Sequence, residues 1–263
     1  MFIENRKDQL AYMTSQVISV PHAFTTRLGG VSTGYLASLN LGERRGDEPE
    51  KVRENYRRAG SILGVGPDDF AVARQVHGIE VRTVSQADRH TVNTTVPYEA
   101  DGLVTNIPGL PLMVYVADCV PVLLCDSENG VIGAVHCGWR SSVGDILCAA
   151  VEKMRALGAR SECMTAAIGP AIGFDHFETG PEVPEAVTKY LSGDTDGLFT
   201  EKSHGKTLVD LRGANKRRLV QLGLKADNVD VSDECTMCAP EKYWSHRVTG
   251  GVRGSQCAMI MLG

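Results

Sequence analysis

The segment from Val116 to His136 constrains the fold more than any other. Two apolar runs, Val120-Pro121-Val122-Leu123-Leu124-Cys125 and Val131-Ile132-Gly133-Ala134-Val135, flank Asn129-Gly130, a dipeptide that favours a tight hairpin turn. If the loop is Ser127 to Gly130, Asp126 opposes Val131 and His136 opposes Pro121. Cys119 then lies one diagonal step away on the same face, about 7–8 Å across the pair, within side-chain reach. A loop with an odd residue count puts the thiol and the imidazole on opposite faces, so their convergence depends on register.

The remaining pattern frames this hairpin with helices. Val143, Ile146, Leu147, Ala150, Val151, Met154 and Leu157 form one stripe at helical spacing, closed by Gly158 and capped by Ser141 or Ser142. Asp47-Glu48-Pro49-Glu50 opens a second helix through Leu63, Asp210 opens a third that ends at Gly223, and Pro181 to Leu191 makes a fourth. Strand-like runs are Phe70 to Val76, Val81 to Val84, Leu112 to Ala117, Val229 to Ser232 and Ala258 to Leu262, besides the hairpin itself. Several neighbours are joined by short turns, which favours an antiparallel or mixed sheet flanked by helices over βαβ alternation. No repeat or linker divides the chain, so residues 1–263 are expected to form a single domain.

Composition narrows the partners. Lys+Arg 27 against Asp+Glu 32 leaves a net charge of −5, which disfavours nucleic acid because phosphate backbones need a basic surface. No apolar stretch is long enough to span a bilayer and the N-terminus lacks a signal pattern, so a cytoplasmic protein without a membrane partner is expected. Eight cysteines in a signal-less chain of this length read as thiols or metal ligands.

After His136 the chain runs Cys137-Gly138-Trp139-Arg140-Ser141-Ser142 towards the 143–157 helix, whose free N–H groups and Arg140 could form an anion site. The competing reading is an ordinary capped helix with Arg140 in a surface ion pair. His77 ends an apolar run before Gly78; by position alone a structural, hydrogen-bonded histidine is the commoner outcome. Cys235-Thr236-Met237-Cys238 is a single CxxC, whereas zinc sites of that type need a second pair.

Taken together, Gln75-Val76-His77-Gly78, Ala100-Asp101-Gly102, Ala117-Asp118-Cys119-Val120-Pro121, His136-Cys137-Gly138-Trp139-Arg140 and Tyr243-Trp244-Ser245-His246-Arg247 resemble the YfiH-like, laccase-domain family. The likeness extends from Thr25-Thr26-Arg27-Leu28-Gly29-Gly30 through Asn40-Leu41-Gly42 to the C-terminus. Members of that family were once named polyphenol oxidases and later reassigned as purine nucleoside phosphorylases. The resemblance implies an α+β fold, a single-domain αββα sandwich with mixed sheets similar to the cytotoxic-necrotizing-factor deamidases. It also implies a zinc, with copper as the alternative, held by His77, Cys119 and His136, and phosphorolysis of purine nucleosides with adenosine deamination. Nucleosides and phosphate are then the partners, and no obligate protein partner is implied. Cys119 and His136 are the catalytic candidates, with Asp118 orienting a ligand or moving a proton. Arg27, Asn40, Gln75 and Arg140 are the substrate-binding candidates. The stretch Phe174-Asp175-His176-Phe177-Glu178 departs from the Cys/Tyr-containing segment of relatives and receives no role.

Other classes use the same residues. True blue multicopper chemistry needs His-x-His pairs, and none of the seven histidines forms one. A metal-free cysteine hydrolase would use Cys119 as nucleophile and His136 as base. A third reading is a vestigial structural zinc in a peptidoglycan-editing or copper-linked oxidase protein.

Overall fold

Strands that read as continuous apolar runs need cover on both faces, and the computed structural model, which describes residues 1–263, supplies it by stacking two sheets. A six-stranded sheet runs in the order Val229–Val231, Thr165–Ile168, Val120–Asp126, Val131–Cys137, Gly102–Thr105, Val81–Thr83. Its outermost pairs are parallel and its inner pairs antiparallel. An antiparallel five-stranded sheet runs Phe2–Lys7, Leu10–Ser15, His22–Thr25, Gln256–Ile260, Leu112–Val116.

Period-two alternation assigns each side chain to a layer. Leu123, Cys125, Ile132 and Ala134 point between the sheets, where they meet Phe24, Leu112, Val114, Ala258 and Ile260. Val120, Val122, Leu124, Val131 and Val135 point the other way, against the helix Ile146–Ala156 and Leu211 and Leu219 of the helix Leu211–Gln221. Ala23, Met113 and Met259 cover the outer face of the five-stranded sheet with Val52, Tyr56 and Ala59 of the helix Pro49–Leu63. The layers are therefore helix, sheet, sheet, helix: an α+β sandwich with mixed sheets. No helix is long and apolar enough to cross a membrane.

The hairpin register pairs Asp126 with Val131 and Pro121 with His136, the register expected for the loop Ser127 to Gly130. Two expectations need correction. The 143–157 helix is two helices: Gly138 caps Trp139–Val143, and Ile146–Ala156 begins only after Asp145, held at φ +69°. The apolar stripe continues across the break, but Asp145 leaves the helical region to pair with Arg218, whose Nε lies 2.9 Å from Oδ1. Ser141 and Ser142 are buried inside the first short helix and cap nothing. The run Phe70 to Val76 makes isolated bridges rather than a strand, because it crosses between the sheets. There the Gln75 amide takes the place of a ladder rung, donating from Nε2 to Tyr115 O at 2.8 Å and accepting from Tyr115 N at 2.7 Å.

Removing that amide strands two partly buried backbone groups. Gln75→Ala is expected to lower the unfolding free energy by about 1–3 kcal/mol in urea titrations; an unchanged midpoint would contradict this role.

Candidate metal centre

His136 and Cys119 share parity with the residues that point between the sheets, so both side chains project into the mouth of the inter-sheet space. Asp101, which precedes the strand Gly102–Thr105, supplies the third element. Its carboxylate is fully buried and accepts from the backbone N–H groups of Val76 (3.1 Å), His77 (3.0 Å) and Gly78 (2.8 Å). It also meets His136 Nδ1 at 2.8 Å. This anion curls the 76–78 turn around itself, with His77 at φ +59°, a conformation that non-glycine residues adopt only when surroundings over-determine it. Burial pushes the Asp101 carboxyl up, but its bonds to His136 and Gly78 win and hold it below the usual carboxylate range.

The result brings His77, Cys119 and His136 together, with ligand atoms all within 4.8 Å of one another. Cys119 Sγ lies 3.8 Å from His77 Nε2, and the two imidazoles meet edge to face with centroids 4.8 Å apart. Donors around a tetrahedral zinc lie about 3.3–3.6 Å apart, so small side-chain adjustments would close the set on an ion. Asp101 occupies His136 Nδ1 and leaves Nε2 as the ligand atom, the carboxylate–histidine–metal arrangement that fixes tautomer and ring orientation. Gly138 permits the close approach, since a Cβ there would stand 2.8 Å from His77 Cδ2 and 3.6 Å from Cys119 Sγ. The residues present therefore fit a divalent metal with two nitrogens and one sulfur. The same groups polarise each other: burial raises Cys119, yet the His136 charge and hydrogen bonds from both imidazoles bring it down to about 6. Burial lowers His136, yet Cys119 and Asp101 raise it to about 9.

None of the other sequence candidates joins the donor set. Asp118, at φ +80°, turns away from the donor set and accepts from Thr236 Oγ1 (2.6 Å), Ser245 Oγ (3.0 Å) and Arg247 N (2.7 Å). Arg27 stacks on Trp244 at 3.8 Å and bonds the carbonyls of Ala37 and Pro240. Asn40 is fully buried and ties Gly42 and Ser255 to Asp47. Arg140 is exposed, lies over Trp139 and does not line the cavity at the donor set. Gln75 does line it, with both ends of its amide engaged by Tyr115.

That cavity, about 240 Å³, is lined by His77, Cys119 and His136 together with Tyr115. Its cations are ones that the sequence did not single out: Arg44, Arg45, Arg74 and Arg253 line it beside Glu43; Arg74 pairs with Glu99 and Glu43 with His90, while Arg44, Arg45 and Arg253 form no ion pair. Arg253 is mostly buried; burial and neighbouring Arg45 lower it to about 10. Its Nη1 bonds Gly254 O and Ser255 Oγ, while its Nε is buried without a partner. Arg44-Arg45 comes just after the quoted Asn40-Leu41-Gly42 motif, separated from it by Glu43, a usable signal; Arg253 stands among glycines with none.

The sequence model of the multi-copper polyphenol oxidoreductase laccase family matches residues 21–263, and the chain belongs to that family. It is 41% identical to a purine nucleoside phosphorylase of Deinococcus radiodurans over 247 residues, covering 93% of this chain and 90% of that protein. It is 35% identical to an adenosine deaminase from an unknown prokaryotic organism, covering 87% of this chain and 88% of that one. Among solved structures, YlmD from Geobacillus stearothermophilus superposes with a TM-score of 0.93 at 28% identity, covering 99% of this chain and 98% of that one.

Because Asp101 orients His136 and shapes the turn that carries His77, Asp101→Asn is expected to weaken metal binding about 10- to 100-fold. Competition titration against a chromophoric chelator measures this; unaltered affinity would remove Asp101 from the centre.

Proposed function

We propose that the chain is a zinc-dependent purine nucleoside phosphorylase that converts inosine or adenosine and phosphate to free base and ribose 1-phosphate, with adenosine deamination as a second activity of the same cavity. The observation that carries this reading is one cavity holding both the His77, Cys119, His136 donor set and the guanidiniums of Arg45 and Arg253 without carboxylate partners. Relatives named for the two activities support it. Free nucleosides and phosphate as reactants suit a cytoplasmic enzyme that needs no nucleic acid, membrane or protein partner.

A largely desolvated, unpaired guanidinium is costly unless an anion joins it, and phosphate offers charge and bidentate geometry to Arg253. In phosphorolysis an oxygen of that phosphate forms the bond to C1′ while the C1′–N9 bond breaks and its electron pair leaves with the purine. Holding the dianion in line with C1′ is the positional task, which this reading assigns to Arg45 and Arg253, both on the cavity lining. His77 Nε2, Cys119 Sγ and His136 Nε2 would hold the zinc, which when bound supplies a Lewis acid that polarises a substrate oxygen or water. Asp101 keeps the His136 ring fixed throughout. Deamination replaces the C6 amino group by water and releases ammonia, so it makes no use of the anion subsite.

A second reading has its own observation. Cys119, His136 and Asp101 form a row in which a thiol, an imidazole and an orienting carboxylate succeed one another, as a cysteine hydrolase requires. Chelation separates the two. A zinc enzyme loses activity with chelator and regains it with Zn²⁺; a cysteine hydrolase survives chelation and is stopped by alkylation at Cys119.

With inosine, hypoxanthine release is expected to require phosphate, and Arg253→Ala to raise the phosphate KM about 10- to 150-fold, the loss of one charge-assisted bond of roughly 1.5–3 kcal/mol. Arg140→Ala is expected to leave it near the parent value. Equal rates in phosphate-free buffer, or equal effects of the two variants, would sink the anion subsite.

A further inference from the structure

The single CxxC acquires a third ligand in the fold. The helical turn Phe174–His176 carries His176 to the Cys235/Cys238 pair, and the three ligand atoms lie within 4.8 Å of one another. His176 Nδ1 stands 3.6 Å from Cys238 Sγ and 3.9 Å from Cys235 Sγ, whereas Nε2 stands 4.0 Å from Cys238 Sγ. Sulfur and nitrogen ligands of one tetrahedral zinc are separated by about 3.5 Å. The surroundings hold the pair in place. Gly173 N–H donates to Cys235 Sγ at 3.1 Å, and a Cβ at Gly173 would stand 3.2 Å from that sulfur, so glycine permits the bond. The Arg212 guanidinium runs alongside, anchored on Ser232 O and Glu234 O.

We propose that His176 Nδ1, Cys235 Sγ and Cys238 Sγ bind a second zinc ion, with water completing the tetrahedron. Two thiolates and an imidazole are a donor set that selects zinc over the hard divalent cations. The site lies apart from the cavity and shares none of its ligands. Its task is to clamp two loops distant in sequence: Ala171 bridges to Cys235, and Thr236 N–H donates to Ala171 O at 3.0 Å. Thr236, inside the CxxC, donates its hydroxyl to Asp118, and Ile172 N–H bonds the Asp118 carbonyl at 3.0 Å. Asp118 precedes Cys119, so the second ion would steady the backbone that presents the first centre's thiol. The proposal stands whether or not the nucleoside reading holds, because it concerns ligands outside that cavity.

Metal analysis of the full chain purified with zinc tests it. About two zinc per chain are expected, falling to about one in Cys238→Ser, to about one in His77→Ala, and to near none in the double variant. Peptide mapping after alkylation covers the case in which a variant fails to fold: in the zinc-loaded parent, Cys235 and Cys238 should be protected and become reactive only with chelator, whereas partly exposed Cys163 reacts in both states. One zinc per chain that survives Cys238→Ser, labelling of Cys235 and Cys238 as fast as Cys163, or a Cys235–Cys238 disulfide in zinc-loaded protein would each overturn the second site.

Discussion

The pairing of Val120–Asp126 with Val131–Cys137 is the constraint on which the molecule depends. All fourteen of these residues are buried, and the two faces they serve are different cores. A slip by one residue would exchange those faces along the slipped strand, moving residues such as Ile132 and Ala134 out of the inter-sheet layer and separating His136 from Cys119. Each misplaced Leu, Ile or Val would give up part of the roughly 1.5–3 kcal/mol that burial of such a side chain contributes. The register that packs both cores is thus also the one that assembles the thiol and imidazole.

Burying polar groups at the sheet mouth is costly, and the structure offsets this locally. Asp101 satisfies three backbone donors and one imidazole, so its charge is held by a full set of partners. Arg253 is the contrast: partly exposed, with its Nε buried and unsatisfied and another arginine beside it. A fully compensated anion reads as scaffold, and an uncompensated cation in a cavity reads as a place for an anionic ligand.

How much was legible in the sequence follows from the range of the contacts involved. A mixed sheet flanked by helices, and the hairpin register once the loop is taken as Ser127 to Gly130, rest on local patterns and loop parity; the stacking of two sheets into a sandwich depends on long-range pairing and was reached only through the family resemblance. The helix break at Gly144-Asp145 could not, because the apolar stripe continues across it and the cause is an ion pair with Arg218, distant in sequence. Arg140 looked like the anion ligand because it follows His136, but the turn Trp139–Val143 carries it outward onto Trp139. Arg253 owes its place to the strand Gln256–Ile260 lying between His22–Thr25 and Leu112–Val116, a pairing without local trace. His176 was invisible as a ligand for the same reason: no CxxC spacing points to it.

Anomalous diffraction at the zinc edge, from crystals of protein purified with zinc, addresses the central claim most directly. The expected peak lies about 2.0–2.3 Å from His77 Nε2, Cys119 Sγ and His136 Nε2 together. Full-occupancy crystals with no peak between those three atoms, and an unmodified Cys119 hydrogen-bonded to His136 in its place, would contradict it.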